Sequence, residues 1–505
     1  MPFERDRGGL RMVRAVVAMG LVTCSGPVCA ATWSVDPSAG SDAVGRAPGV
    51  PFSTIQAAID AAADGDEVLV PGGFHRGPGN RDLTFHGKNI RLTCATWPDQ
   101  LIPCVLDAEG SARVFIFDNG ESPDAVVEGL IIARGSAVAD PRLPSDEADR
   151  QSRESGGCVL IRESSPTFVN CAFVGCTGGT GGAVAAFGGG PEFRRCAFAL
   201  NTSTSSGGAA YLEGSHATIR SSDLAFNGAI DAAVIIVGGR TTIRECSFVG
   251  NWALGTSGVR NVGGRPRLIN CEFLSGLGSL EAVQNDQADA LIANSLFARN
   301  IGGGLRNSGG GPRIVNCTVT ENDGPGIVND GTGTAITNTI VFGNGGDALV
   351  GDVDSATYSL IEGGAPGTGN INLDPLFEAP RLGNFQLGPG SPAIDAGDND
   401  AVPLPARLRD LARRRRFRDD PDTTDTGLGD PPIVDIGAYE FAPRLLGREG
   451  TSRSSVSDPD ARRSPKGEHS RTTDEVEASI ERIVHRYEAI LRELETPGER
   501  LTSMP

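Results

Sequence analysis

Arg260, Gln284 and Arg306 recur 24 and 22 positions apart, each directly after an apolar residue (Val259, Val283, Leu305). In a strand the neighbour of an inward side chain points outward, so the three are expected on one surface. Asp286, Asp330 and Asp352 fall two positions further along the same frame. Guanidinium groups grip carboxylates through paired hydrogen bonds, so the stripe suits an acidic polysaccharide or cell-surface glycan. It reads either as a non-catalytic binding face or as the substrate face of a polysaccharide lyase or glycoside hydrolase. An ordinary solvated face would carry the same residues, because charged side chains are mostly exposed anyway. A second group, Asp395, Asp398 and Asp400 with Asn399, packs hard oxygen donors into six residues. Calcium takes such donors, although the spacing is not that of an EF-hand and Asp/Asn clusters also make turns.

Other chemistry finds little support. Five histidines show neither the His-Glu-x-x-His nor the Cys/His spacing of a zinc site, and no Gly-x-Ser-x-Gly elbow occurs. A glycosidase pair of carboxylates at about 5 Å or 6.5–9.5 Å is met by many stacked pairs, so it selects none. A formal charge of −18 argues against a nucleic-acid partner. No catalytic residue is assigned. These readings favour a binding or structural module, with the carbohydrate-active enzyme as the alternative.

The elements that must hold these residues are repeats. Positions 171, 196, 222, 246, 271, 295, 317, 339 and 359 carry Cys, Ser or Thr in a recurring frame such as Phe-Val-Asn-Cys-Ala-Phe, at intervals of 20 to 26 residues. A second column is apolar: Val184, Ala210, Val234, Val259, Val283, Leu305, Ile327, Leu349. Each unit reads as two strands joined by a Gly/Asn-rich turn, and a unit without a helix buries its apolar column only by stacking on its copies. The expected fold is all-β, a right-handed parallel β-helix, the hand following from the rule for parallel crossovers. Asparagine columns (Asn201, Asn227, Asn251, Asn300, Asn322, Asn344; and Asn261, Asn285, Asn307, Asn329) suit left-handed turns and coil-to-coil amide bonds. Gly129 is placed in the cysteine column, and 136–155 reads as a loop thrown out between coils.

A solenoid must cover its ends. Ser53 is the expected cap of a helix with Ile55, Ala58, Ile59 and Ala62 on one face. Before it, Arg11 and Arg14, the apolar run 15–22 and Val28-Cys29-Ala30 form a signal peptide over 1–30, which implies an exported, extracellular, periplasmic or cell-surface location. Export permits disulfides. Beyond Cys24 and Cys29, nine cysteines remain, with Cys94–Cys104 the best local pair; Cys171/Cys196 and Cys246/Cys271 have permissive spacing, buried free thiols being the plainer reading.

The stretch Phe52-Ser-Thr-Ile-Gln-Ala-Ala-Ile to Val70-Pro71 resembles the opening of pectin-lyase-like β-helix proteins. Leu373-Asp-Pro-Leu-Phe377, Gly390-Ser-Pro-Ala-Ile-Asp-Ala-Gly-Asp398 and Val434-Asp-Ile-Gly-Ala-Tyr-Glu-Phe441 resemble the closing segment of exported bacterial β-helix repeat proteins. The resemblance covers roughly 50 to 442. It implies the fold and the location but no reaction, since the scaffold hosts lyases, hydrolases, esterases and adhesins. The Asn-Thr-Asp and Gly-His-Gly signatures of polygalacturonase-like enzymes are missing from the sequence. Arg413 to Arg416 depart from the family's shorter glycine-containing turn and read as a solvated, protease-sensitive loop. The β-helix with its caps thus spans 31–442. Residues 443–473 read as a linker, and 474–495 as an amphipathic helix with Val476, Ile480, Ile483, Val484, Tyr487, Leu491 and Leu494 on one face, able to self-associate. Charges throughout exclude it as a transmembrane segment.

Overall fold

The computed structural model describes residues 30–442 except 39, 43–49, 97, 99–101, 138–152, 405 and 408. The expected signal peptide, linker and terminal helix lie outside the described residues. The chain forms a right-handed parallel solenoid. Among the described residues, sheets of 13, 12, 6 and 11 strands run along it, here called the first to fourth in the order the chain meets them in one coil. One coil reads Glu192–Arg194, Ala197–Ala199, Thr202–Ser206 and Ala210–Glu213.

The expected apolar column is the register of the fourth sheet: Val184 pairs with Ala210, then Val234, Val259, Val283, Leu305, Ile327 and Leu349. The two-strand unit is corrected. Its first strand is split by a left-handed residue (Asn170, Arg195, Ser221, Glu245, Asn270, Asn294, Asn316, Asn338) with φ of 50–57°. The kink resets the alternation, so Phe168 and Phe173 both face inward and are fully buried. Gly129 proves to match these kinked residues, while Leu130 takes the column position of Cys171, because Ile131 pairs with Ala172.

Inside, phenylalanines stack from coil to coil: Phe168 on Phe193 at 5.2 Å, Phe173 on Phe198 at 4.6 Å, and Phe248 on Phe273 on Phe297 at 4.6 and 4.9 Å. Each such burial is worth about 1.5–3 kcal/mol, with roughly 0.5–1.5 kcal/mol more per ring pair. Neither asparagine column is left-handed; in the first, that conformation sits one residue earlier, as at Leu200, Phe226 and Arg299, and the second lies within the fourth-sheet strands. The asparagines point inward instead. Asn201 donates to Asn227 Oδ1 and Asn227 to Asn251 Oδ1, at 2.9 and 3.0 Å, and Asn261 to Asn285 and Asn285 to Asn307 at 2.7 and 2.8 Å.

Cys94–Cys104 is bridged, and so is Cys158–Cys176, which the sequence did not point to. Cys171, Cys196, Cys246, Cys271 and Cys317 are free and buried. Their Sγ atoms approach main-chain carbonyls, as Cys171 does Val127 and Val169, both at 3.4 Å, and the permitted column bridges are not formed. Burial pushes the thiols of Cys171, Cys271 and Cys317 up to about 12.

The amino-terminal cover is the helix Ile55–Ala61, with Ile55, Ala58 and Ile59 buried. Its cap is Thr54, whose hydroxyl accepts from Ala57 N; the expected Ser53 instead donates its N–H to Asp42. The excursion after the early coils starts later than expected, because Ser136–Ala137 is a strand paired with Thr177–Gly178, and Ser155 already bridges to Thr180.

Residues 373–441 fold back along the rod. Phe385, Ala438 and Tyr439 pack on Ala225, Val249, Leu274 and Leu296 of the second sheet. The kinked asparagines hold this segment through main-chain carbonyls: Asn270 to Asp410, Asn294 to Ala406 and Arg409, Asn316 to Asp435, Asn338 to Asp398, at 2.8–3.3 Å. Arg416 lies within it, not in a solvated loop. Its side chain is fully buried, 3.3 Å from Glu440 Oε1, and donates to Gly437 O. Arg413 and Arg415 remain exposed.

Candidate binding surface

The closing segment covers part of the first and second sheets, so the outer faces of the third and fourth are the places to seek function in these coils. On the fourth sheet Arg260, Gln284 and Arg306 stand side by side in consecutive strands, as their spacing implied. Their inward neighbours Val259, Val283 and Leu305 are buried, which fixes their outward direction.

The arginines are not free cations. Arg260 donates from Nε to Asp286 at 2.7 Å and from Nη1 to Asp231 at 2.5 Å. Arg306 holds both oxygens of Glu281, at 2.8 and 2.9 Å, and its third nitrogen pairs with Asp330. Gln284 donates to Asp286 at 2.8 Å and accepts from the Thr256 hydroxyl at 3.0 Å, joining the lattice. Asp352 is left out: it is exposed, and its carbonyl, not its carboxylate, accepts from Asn329.

Partial burial opposes the charge on Arg260, but the bonds to Asp231 and Asp286 outweigh it and raise its pKa. The bonds to Glu281, against burial, do the same for Arg306. Both are therefore fixed as cations, the opposite of what a proton-abstracting base requires.

Sequence reasoning missed Asp231 and Glu281. Both lie just before their fourth-sheet strands, and each directly follows an exposed apolar residue, Ile230 or Leu280. Other exposed apolar residues of these coils form a further feature. On the third sheet Trp252 pairs in register with Leu277, and Ile301 follows in the next coil through its N–H to Gly276 O. Trp252, Leu277 and Ile301 are 46–50 % exposed, and Leu254 more so. The indole fills the space over Gly228 of the preceding coil, where a Cβ would sit 2.0 Å from Trp252 Cε2 and Cζ2. An exposed apolar row on the third sheet thus shares its coils with a lattice of amide, guanidinium and carboxylate groups on the fourth.

The expected calcium donors separate. Asp398 accepts from Asp400 N at 2.9 Å and so caps the short turn Asn399–Ala401, and Asp400 is exposed. Asp395 is buried and gathers with Asp419 and Asp425 instead; one oxygen of each lies within 4.8 Å of the others.

Residues 231–363 match a family model described as a right-handed β-helix region. No curated protein sequence matches the chain. Among solved structures, pectate lyase Pel9A is similar at 15 % identity and a TM-score of 0.42, over 82 % of this chain and 98 % of that one. A rhamnogalacturonan lyase is similar at 12 % identity and 0.41, over 71 % and 93 %. The receptor-binding tailspike of bacteriophage Det7 is similar at 13 % and 0.34, over 68 % and 76 %. Among the described residues no helix is long and apolar enough to cross a membrane.

Proposed function

We propose that the protein is an exported β-helix whose third and fourth sheets bind a polysaccharide without cleaving it. The observation that carries this reading is the occurrence, in the same coils, of the exposed row Trp252, Leu277 and Ile301 on the third sheet and the Arg260–Gln284–Arg306 lattice on the fourth. A sugar ring has one apolar C–H face and a rim of hydroxyls. The indole offers the first a stacking platform, and the fixed planar groups offer the second paired donors and acceptors. A contiguous exposed apolar row on a soluble face marks a contact site.

Charge refines the ligand class. Two guanidinium groups face four carboxylates, Asp231, Glu281, Asp286 and Asp330. The lattice therefore carries net negative charge, which favours a neutral chain over the acidic one its arginines suggest in isolation. Affinity electrophoresis of the purified chain in gels containing a neutral polysaccharide, pectate or alginate tests this. Retardation by the neutral chain, lost in Trp252→Ala by tenfold or more in affinity, is expected, with no rise in reducing ends or unsaturated uronides. Release of either product would overturn the non-catalytic reading, and retardation unchanged by Trp252→Ala would overturn the surface.

A further inference from the structure

The acidic cluster of the closing segment lies well away from the Arg260–Arg306 lattice in sequence, and nothing in the proposed sugar contact uses it. Asp395 sits in a left-handed turn (φ 51°) and is fully buried. Its surroundings are built around the carboxylate. Its own N–H donates to Asp435 Oδ1 at 2.8 Å, its carbonyl accepts from Thr426 and Gly427, and its Oδ2 accepts from Asp420 N at 3.2 Å. Oδ1 is buried with no hydrogen-bond partner at all. A buried carboxylate oxygen left bare is costly, and native structures rarely keep one without a cause.

Around Asp395 come only like charges. Asp419 and Asp425, both exposed, each bring an oxygen within 4.8 Å of it, and among the described residues no Arg or Lys pairs with any of the three. Asp420 stands beside them and accepts from the Thr423 hydroxyl. Burial first, then the charges of Asp425, Asp419 and Asp420, push the Asp395 carboxyl up to about 6. The chain thus brings one oxygen from each of three carboxylates within 4.8 Å of the others, and the buried member of the three has an unsatisfied oxygen. Its two outer carboxylates face water, which would complete a coordination shell.

We propose that Asp395, Asp419 and Asp425 bind a divalent cation of the calcium type, clipping the loop 417–428 onto the closing segment. The donors are all oxygen, which excludes the soft metals, and a half-open shell completed by several waters suits the irregular coordination of calcium. The residues differ from the run 395–400 that spacing alone suggests: only Asp395 is shared. The clip would fasten the segment that covers the second sheet, because Asp395 N is bonded to Asp435 and Asp435 N to Glu440.

The test uses the full chain stripped with a chelator, then titrated with calcium chloride or magnesium chloride. Calorimetry should show one calcium bound per chain, and calcium should raise the thermal midpoint by about 3 °C or more, magnesium less. The Asp419→Asn/Asp425→Asn double variant, altered only at exposed positions, separates the site from mere repulsion. Without calcium it should melt at or above the parent midpoint, because like charges are removed, and calcium should no longer move it. No heat and no shift with the parent, or a calcium response unchanged in the double variant, would overturn the proposal.

Discussion

Replacing Asn227 by alanine takes four hydrogen bonds out of the middle of the buried amide ladder. Its Nδ2 donates to Phe198 O at 2.9 Å and to Asn251 Oδ1 at 3.0 Å. Its Oδ1 accepts from Asn201 N at 3.2 Å and Asn201 Nδ2 at 2.9 Å. At about 1 kcal/mol net per bond, the expected loss is about 4 kcal/mol, a large share of a protein's margin. Asn251 Oδ1 keeps a donor, the main-chain N–H of residue 227, whereas Asn201 N loses its acceptor in a place closed to water. Asn227→Asp keeps the shape but turns a donor into an acceptor facing Phe198 O and Asn251 Oδ1, so its cost should be no smaller. Asn201→Ala and Asn227→Ala share one of the bonds, Asn201 Nδ2 to Asn227 Oδ1, and should cost less together than the sum of their single effects; Asn227→Ala and Asn322→Ala, several coils apart, should add. Urea unfolding followed by far-ultraviolet circular dichroism supplies the midpoints and slopes. A loss under about 1 kcal/mol for the alanine variant, or an aspartate variant as stable as its parent, would refute the ladder as a source of stability.

Two further outcomes follow from side chains with defined partners. Glu281→Ala strips Arg306 of its bidentate partner and leaves only Asp330; with Arg306 partly exposed, the cost should be roughly 2 kcal/mol, and a double-mutant cycle with Arg306→Ala should show a coupling of similar size. His75 is buried, with Nε2 2.9 Å from Pro71 O and Nδ1 unpartnered, and burial lowers its pKa below the ordinary 6.5. Its neutral form is the one the fold accepts, so its share of stability is complete above about pH 6.5 and is lost as pH falls through the lowered value. The urea midpoint should therefore drop less in His75→Gln than in the parent between pH 7.5 and 5.5; equal drops would exclude the effect.

The columns could be read from sequence because stacking forces chemically equivalent residues into register. Val184 to Leu349 repeat one environment eight times, and repetition averages out local noise. What stayed hidden was set by single residues. A left-handed kink before each cysteine position breaks the period-two pattern, and Arg195, Ser221 and Glu245, which adopt it, give no sign of doing so. Asn270, Asn294, Asn316 and Asn338 offered a signal that went unused: asparagine becomes constant there in the coils whose kink side chains hold the closing segment. Arg416 resembled its exposed neighbours because burial of a charge depends on a partner, Glu440, 24 positions away. Of the candidate surface, the in-register arginines and glutamine were readable. Their carboxylate partners Asp231 and Glu281 were not, since each sits just ahead of a strand where register reasoning has no grip.

The free thiols give the rod a built-in recorder. Cys171, Cys196, Cys246, Cys271 and Cys317 mark five levels along its axis, each sealed from solvent. Neighbouring coils stabilise one another, so an opening that begins at one end must travel level by level to expose them in turn. A thiol reagent added under native conditions would therefore write the direction of fraying into the order of labelled peptides, with no residue needing to be introduced to read it.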